Sequence, residues 1–458
     1  MAKSWLLGLL GLLALLLGGE MAWGAEPAAP PELQSQAAIL IEARTGQVLA
    51  EKESRRRMEP ASLTKIMTCL MAMEQAGPEE RVVVTAEALQ LMADASAIGL
   101  RERESLTMAE MLYAAMLPSA NDAATAVGIH LAGSSPAFAE EMAKRAEELG
   151  LTDTRFVNAH GLPAPGHYTT AYDLARITRA ALDYPEFLQY AGAQRYLIPA
   201  SQYNRSYGFS HLHRGLLPGS SYYDPRIIAG KTGWTGSAGS CLMTVAEQDG
   251  VRLIVIVLKA DQGEVTGAAY ADTKALLDYG FTAYRREELP LPSQGILATL
   301  EEGSEWQYYL TPEKETMAVM LPRELPSQGL SLAVTGLAEG SGRDAFRGRV
   351  EVRDRTGKTL LEAGEVPLQG EPMTVEPLGP AAVVYLPVQE AEPEPWQLAA
   401  ASAFCALLFL AAKRLYHRPP RGKLRKDRSF LWSFGSLHDI IGHQIISKGE
   451  GNEDAGDI

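Results

Sequence analysis

Residues 59–68 read Glu-Pro-Ala-Ser-Leu-Thr-Lys-Ile-Met-Thr. A helix is predicted to begin at or near Ser62, which places the Ser62 hydroxyl and the Lys65 amine on one helix face, about 5–6 Å apart at Cβ. A hydroxyl needs an adjacent base to act as a nucleophile, and a lysine withdrawn from water can lose its proton and serve as that base. An isolated Ser-x-x-Lys is more often a helix start with a surface lysine. Other parts of the sequence are therefore needed to distinguish a catalytic pair from an ordinary helix start.

The residues that follow Lys65 favour the catalytic reading. Apolar side chains lie on most sides of this helix, at Ile66, Met67, Leu70, Met71 and Met73. Such a helix is predicted to be buried on most sides rather than along one stripe. Burying a polar serine and lysine on such a helix costs free energy, and a function as nucleophile and base would explain why both are present.

Two further polar motifs could meet this pair. Ser119-x-Asn121 follows Pro118, which is expected to break a helix near Leu117, so the motif is predicted to lie in a turn between helices. Lys231-Thr232-Gly233 lies in a predicted strand, where the glycine leaves room for another backbone to approach. Each of the three patterns is found once, in the order serine helix, turn, strand.

Strand patterns at both ends of this region enclose a series of helices. A hairpin turns at Arg44-Thr45-Gly46, and capping boxes begin helices at Thr107-x-x-Glu110 and Thr170-x-x-Asp173. The predicted strands are Ala37–Leu40, Gln47–Ala50, Gly230–Gly233, Ser240–Ala246 and Leu253–Leu258, followed by a helix over Val265–Phe281. This order predicts an α/β (α+β) domain with a largely antiparallel sheet and a helical cluster, because a parallel sheet would alternate strand and helix.

Composition and the N-terminus limit the protein class and compartment. The chain has 458 residues, 46% hydrophobic and 21% charged, with a formal net charge of −14, which disfavours a nucleic-acid partner. Lys3, the apolar run Leu6–Leu17 and the small residues that end at Ala25 predict a secretory signal peptide over residues 1–25. Cys69 and Cys241 are expected to be buried free thiols, with one bridge between them as the alternative.

The C-terminal third changes character. Residues 290–388 carry short alternating runs separated by Pro and Gly and are predicted to form an all-β domain, a spacer or interaction module without chemistry. An acidic, proline-interrupted linker covers residues 389–395, and 396–412 is predicted to be a transmembrane helix at the short end of the usual length. Residues 413–458 begin with a dense basic run, which predicts a cytoplasmic tail.

The three motifs together resemble a known family. Ser-x-x-Lys, Ser-x-Asn and Lys-Thr-Gly form the signature of serine enzymes that recognise penicillin. The surrounding residues are similar to those of the D-alanyl-D-alanine carboxypeptidases, which are low-molecular-mass penicillin-binding proteins. The resemblance covers about residues 33–285 and rests on Ala61–Thr68, Pro118–Ala124, Phe156–Leu162 and Lys231–Thr235.

The resemblance implies a role for each motif residue. Ser62 would be the acylated nucleophile, Lys65 its base, and Ser119 a proton relay to the leaving D-alanine. Asn121 would hold the substrate amide, and Lys231 and Thr232 would bind the terminal carboxylate. Backbone N–H groups of Ser62 and Trp234 would form an oxyanion hole, with Gly233 leaving room for the substrate. Neither a metal nor a cofactor is expected.

Some features depart from the family pattern or compete with this reading. The chain has Ile228-Ala229-Gly230 where many relatives have an Asp-Gly pair, and Asn158-Ala159-His160 where many have Asn-Pro-His; neither change touches a reacting group. His211-Leu212-His213 could suggest zinc, but it lacks a supporting cluster, and loop histidines are the favoured reading. His160 and His167 are expected either to line the cleft or to hold a loop.

The sequence therefore predicts an exported carboxypeptidase, anchored on the extracytoplasmic face of the bacterial membrane. It would release the terminal D-alanine from peptidoglycan stem peptides and be inhibited by β-lactams. One alternative is a β-lactamase, although the chain has no convincing Glu-x-x-Leu-Asn element to position a deacylating water. The other is a catalytically silent protein that binds the cell wall, which the intact motif residues disfavour.

Overall fold

The computed structural model describes residues 29–92, 95–261, 267–298, 306–326, 328–338 and 346–374. The predicted signal peptide, linker, transmembrane helix and basic tail lie outside these residues. Within the described part of the chain, no helix is long and apolar enough to cross a membrane.

A five-stranded antiparallel sheet forms the centre of the first region, in the order β2-β1-β9-β8-β7. Its strands are β1 (Ala37–Glu42), β2 (Val48–Lys52), β7 (Ile227–Thr235), β8 (Gly239–Gln248) and β9 (Val251–Leu258). Two small ribbons stand apart from this sheet, and their strands are β3 (Arg81–Val83) with β4 (Ser105–Thr107), and β5 (Arg195–Ile198) with β6 (Tyr207–Ser210).

Among its described residues, this region also contains seven α-helices. Six lie between β2 and β7 in the chain, and the seventh follows β9. They are α1 (Lys65–Gln75), α2 (Met108–Met116), α3 (Asn121–Ala132), α4 (Ser135–Glu148), α5 (Ala171–Ala181), α6 (Glu186–Gly192) and α7 (Gly267–Ala283).

Both faces of the sheet are buried, which explains the continuous apolar sequence of β1. Ile39 and Ile41 point into the core formed with α1 to α6, whereas Ala38 and Leu40 point into the core formed with α7. Successive side chains of a strand alternate between faces, so each of the two helical layers receives every second residue. The edge strand β7, which carries Lys231-Thr232-Gly233, lies beside the start of α1.

The predicted elements agree with this architecture, with a few shifts. The hairpin at Gly46, the three strands after residue 226 and the capping box of Thr107 with Glu110 are confirmed. The motif Ser119-x-Asn121 is predicted to lie in a turn between helices, but Asn121 already begins α3. Cys69 and Cys241 are free and buried, and burial raises the pKa of the Cys241 thiol to about 12.

The second region is all-β where it is described. A five-stranded antiparallel sheet has the order β11-β12-β16-β15-β14, and β10 pairs with β13 in a ribbon. The strands are β10 (Tyr284–Pro290), β11 (Ile296–Ala298), β12 (Trp306–Pro312), β13 (Thr316–Pro322), β14 (Ser331–Leu337), β15 (Phe346–Arg353) and β16 (Thr359–Thr374). The short alternating runs of the sequence, at Trp306–Leu310, Thr316–Leu321, Leu330–Val334 and Gly348–Val352, correspond to β12 to β15, whereas β10, β11 and the long β16 were not predicted.

Specific contacts join the two regions. The buried Gln47 amide donates to the Met320 carbonyl at 2.7 Å and accepts from the Met320 N–H at 2.8 Å. Arg179 and Glu365 form an ion pair at 2.7 Å that is largely shielded from solvent. Because the Gln47 amide satisfies both the N–H and the carbonyl of the buried Met320, it fixes the position of Met320 relative to the β1–β2 hairpin. These bonds dock the second, all-β region, described within residues 284–374 and called the β-region below, on the β1–β2 hairpin and α5.

Candidate active site

The Ser62 segment is a tight turn that leads into α1. Ala61–Thr64 form a 3₁₀ turn, and the α-helix proper begins at Lys65. Ala61 has φ +47°, a left-handed conformation that costs free energy for any residue with a Cβ. The Thr64 hydroxyl donates to the Ala61 carbonyl at 2.9 Å and so helps to hold this turn. Ser62 is half-buried at the mouth of the turn.

Lys65 is fully buried, and its amine contacts three oxygens. Nζ lies 3.0 Å from Ser62 Oγ, 2.6 Å from Asn121 Oδ1 and 2.8 Å from the His160 carbonyl oxygen. Burial lowers the pKa of Lys65 well below its ordinary value; the Lys231 charge lowers it further, and Asp122 acts in the opposite direction. An uncharged amine has two N–H bonds, which the two carbonyl oxygens can accept. The remaining lone pair is then available to the Ser62 hydroxyl.

Lys231 approaches the site from β7 and is also fully buried. Its Nζ donates to Ser119 Oγ at 2.8 Å and to the Thr232 carbonyl at 2.8 Å. Burial lowers the pKa of Lys231 to about 7. Ser119 has φ +63° and is almost fully buried, so its hydroxyl is held in a strained backbone position beside this amine.

Asn121 and Asp122 lie in the first turn of α3, and their side chains bind different partners. The Asn121 side chain accepts from Lys65, as described above, while its N–H donates to the Ser96 carbonyl at 2.8 Å. The Asp122 carboxylate accepts from the N–H groups of Ile98 and Leu100 at 3.2 and 3.0 Å. Asp122 therefore fixes the loop that carries Ile98 and Leu100, a role that the sequence motif did not suggest.

Five of the predicted site residues line an open cleft of about 340 Å³, whereas Lys65, Asn121 and Lys231 are not among its described lining residues. It is lined by Ser62, Ser119, Thr232, Gly233 and Trp234 together with Ser96, Leu212 and Arg214. Leu212 and Trp234 are 49% and 45% exposed, so the rim of the cleft is partly apolar. Sequence analysis did not predict Ser96, Leu212 or Arg214; Leu212 lies within, and Arg214 directly after, the His211-Leu212-His213 segment, which was interpreted as loop histidines rather than as a zinc site.

His167 supports the Ser62 turn through Thr64, and neither His160 nor His167 is among the described residues that line the cleft. His167 Nδ1 accepts from the Val157 N–H at 3.1 Å, so Nε2 carries the proton and donates to Thr64 Oγ1 at 2.9 Å. Burial lowers the pKa of His160 to about 3 and that of His167 to about 4; for His160 the Lys65 charge adds to the effect. Both rings are neutral at physiological pH.

His211 and His213 are packing residues behind Lys231. His211 Nδ1 accepts from the His213 N–H at 2.9 Å, and His213 Nε2 pairs with Thr244 Oγ1 at 2.8 Å. A Cβ at Gly230 would lie 2.3 Å from the His213 ring, so glycine is required for this packing against β7. No group of three metal-ligating side chains occurs among the described residues.

Replacing Gly161 with alanine should distort the serine turn. Gly161 has φ +93°, and a Cβ there would lie 1.8 Å from the Ala61 carbonyl oxygen. We expect Gly161→Ala to lower the free energy of unfolding by about 3 kcal/mol, from backbone strain and overpacking together. Gly77→Ala is the matched control, because nothing lies within 4 Å of its Cβ. Equal denaturant midpoints for the two variants would contradict this role of Gly161.

A larger cavity, about 700 Å³, lies at the joint with the β-region and not at Ser62. Its lining includes Arg179, Arg347 and Glu365, which are paired with one another. No serine, cysteine or histidine is among the described residues that line this cavity, so it lacks the serine–lysine pair of the cleft at Ser62. The smaller cleft at Ser62 is therefore the candidate active site.

Comparisons with known proteins agree on one family. The model of the D-alanyl-D-alanine carboxypeptidase family, peptidase S11, matches residues 25–262. D-alanyl-D-alanine carboxypeptidase DacF from Bacillus subtilis is 32% identical over 268 residues, which cover 57% of this chain and 66% of that protein. DacC from Escherichia coli is likewise 32% identical, with 62% of its length covered. The chain thus spans less than two thirds of the length of each of these curated relatives.

Solved structures share the fold. The D-alanyl-D-alanine carboxypeptidase from Mycobacterium tuberculosis superposes with a TM-score of 0.50 at 28% identity, covering 56% of this chain and 94% of that one. Penicillin binding protein 6B from Escherichia coli superposes with a TM-score of 0.55, covering 77% of this chain and 98% of that one. At 24% identity, this second likeness concerns the fold alone, and its greater coverage extends beyond the first region.

Proposed function

The chain belongs to the D-alanyl-D-alanine carboxypeptidase family, and on that basis we propose that it removes the terminal D-alanine from peptidoglycan stem peptides. The observation that carries the proposal is the buried Lys65 amine, 3.0 Å from the Ser62 hydroxyl. Burial and the Lys231 charge both favour the uncharged amine. A positioned base of this kind is what a serine needs to act as a nucleophile at neutral pH.

Acylation then follows from the contacts of these two residues. Lys65 takes the Ser62 proton while Oγ attacks the carbonyl carbon of the penultimate D-alanine. The peptide C–N bond breaks, the proton that Lys65 took passes through the Ser119 hydroxyl to the leaving D-alanine nitrogen, and an ester to Ser62 remains. Lys65 then takes a proton from a water molecule, whose oxygen attacks the ester carbonyl. The Ser62 oxygen leaves and receives that proton from Lys65. These steps use the chain's own side chains and water.

Substrate binding is assigned to residues that line the cleft and to the buried Lys231 and Asn121, which contact Ser119 and Lys65. Lys231 and Thr232 would hold the carboxylate of the terminal D-alanine, and Asn121 the amide of the acyl part. The N–H groups of Ser62 and Trp234 would face the developing oxyanion, with Gly233 leaving space between them. One such donor is often worth about 3–4 kcal/mol of barrier. A β-lactam, which has a carboxylate beside a strained amide, would acylate the same serine.

The location and division of the chain are part of the proposal. Residues 1–25 would direct export, residues 33–285 would form the catalytic domain, and residues 290–388 would be a spacer or interaction module. Residues 396–412 would anchor the protein at the extracytoplasmic face of the membrane, where cell-wall substrate lies. The apolar runs and the flanking charges of the sequence support these assignments.

The full-length protein, purified in detergent, tests the activity directly. We expect a long-lived covalent adduct with labelled penicillin and release of D-alanine from a peptide that ends in D-Ala-D-Ala. Rapid penicillin turnover without a lasting adduct would instead identify a β-lactamase. Absence of both adduct and D-alanine release would leave the silent wall-binding protein as the better reading.

A further inference from the structure

A hydrogen bond joins the two chain segments on either side of the candidate oxyanion hole. The Ser237 hydroxyl donates to Glu59 Oε2. Glu59 precedes Ser62 by three residues, and Ser237 follows Trp234 by three residues. The bond therefore bridges the segment that carries the Ser62 N–H and the segment that carries the Trp234 N–H. We call this pair, Glu59 and Ser237, the latch.

The two segments already approach each other closely inside the latch. A Cβ at Gly233 would lie 3.1 Å from the Ser62 nitrogen and 3.2 Å from the Pro60 oxygen. Glycine at this position permits the approach of β7 to the serine turn but does not itself hold the segments together. The left-handed conformation of Ala61 adds strain to the serine turn, so this turn needs support from its neighbours.

Each side of the latch is anchored to the body of the domain. Met58, next to Glu59, exchanges two backbone hydrogen bonds with Thr169, at 2.7 and 2.9 Å. On the other side, the Lys259 amine donates to the Ser237 carbonyl at 3.1 Å. A displacement of either end would therefore be resisted, and the latch can set the distance between the two segments.

We propose that Glu59 and Ser237 are positioning residues that set the width of the oxyanion hole, an inference that rests on the proposed function. A hydrogen bond to a carboxylate is stronger than one between neutral groups. Because Ser237 is exposed and Glu59 is half-buried, the latch contributes little to global stability. Its effect falls on the reaction rate, since a misplacement of about 1 Å at a reacting centre can cost about 100-fold.

Variants that remove or keep the hydrogen bond test the latch. Glu59→Ala and Ser237→Ala remove it, whereas Glu59→Gln and Ser237→Thr keep an acceptor and a donor. Stopped-flow acylation by a fluorescent penicillin separates the dissociation constant from the acylation rate constant. We expect each alanine variant to acylate about tenfold more slowly with the dissociation constant within twofold of wild type, and each conservative variant to stay within threefold of the wild-type rate.

The double alanine variant and an outside control complete the test. Removing both partners should slow acylation no more than the slower single variant, because one interaction is lost in each case. Glu141→Ala, an exposed glutamate of α4, should acylate at the wild-type rate. All thermal midpoints should lie within about 2 °C of wild type.

Three results would refute the latch. One is a normal acylation rate in the alanine variants, and another is a double variant as slow as the product of the two single effects. The third is a loss of rate accompanied by lower thermal midpoints and weaker binding, which would indicate only a structural role. If wild type itself were not acylated, the proposed function would fail first, so the two failures are distinguishable.

Discussion

Ser62→Ala is expected to abolish both covalent penicillin labelling and D-alanine release. Removing the nucleophile of a serine hydrolase costs about 10⁶-fold in turnover, because what remains is binding and oxyanion stabilisation without bond formation. The substitution deletes one oxygen beside Lys65 and leaves the other two acceptors of its amine, Asn121 and the His160 carbonyl, in place. The fold should therefore survive the change.

Mass spectrometry of the labelled protein, together with the thermal midpoint, checks this prediction. Ser331→Ala serves as the matched control, because Ser331 is exposed on β14 of the β-region. It should label like wild type. An adduct on Ser119 in the Ser62→Ala variant, formed at a rate near that of wild type, would place the nucleophile elsewhere and contradict the assignment.

Lys65 substitutions should have the second-largest effect. We expect Lys65→Ala to slow acylation by about 10³- to 10⁴-fold, at the upper end of what a general base supplies. Lys65→Arg should not rescue the rate, because a guanidinium stays protonated at working pH and offers no lone pair to the Ser62 hydroxyl. The second-order rate constant of penicillin acylation measures both variants. An arginine variant within tenfold of wild type would contradict the role of Lys65 as base.

The pH dependence of acylation in wild type should reflect both buried lysines. As pH rises through the lowered pKa of Lys65, the amine loses its proton and the rate should increase. As pH rises past about 7, Lys231 loses the charge that would hold the substrate carboxylate, and the rate should fall. The resulting pH profile should be bell-shaped. Because the two lysines interact, its two apparent pKa values describe the pair rather than either residue. A rate that rises without a maximum up to pH 10 would contradict the low pKa of Lys231.

Local patterns in the sequence predicted the elements that depend on nearby residues. The spacing of Ser62 and Lys65 placed both groups on one turn of helix, and their contact at 3.0 Å agrees with that spacing. The Thr107–Glu110 capping box and the Gly46 hairpin were recognised for the same reason, because caps and turns satisfy their own backbone groups within a few residues. The apolar surroundings of α1 likewise predicted its burial.

The tertiary structure decided what depends on residues far apart in the chain. The His160 carbonyl and Asn121 reach Lys65 across 95 and 56 residues, and Ser237 reaches Glu59 across 178. No local pattern encodes such contacts, since backbone carbonyls and exposed hydroxyls occur throughout the sequence. The motifs identified which groups could react, but only folding determined how far each amine is removed from water. That removal lowers the pKa of both lysines, because the charged form loses its hydration.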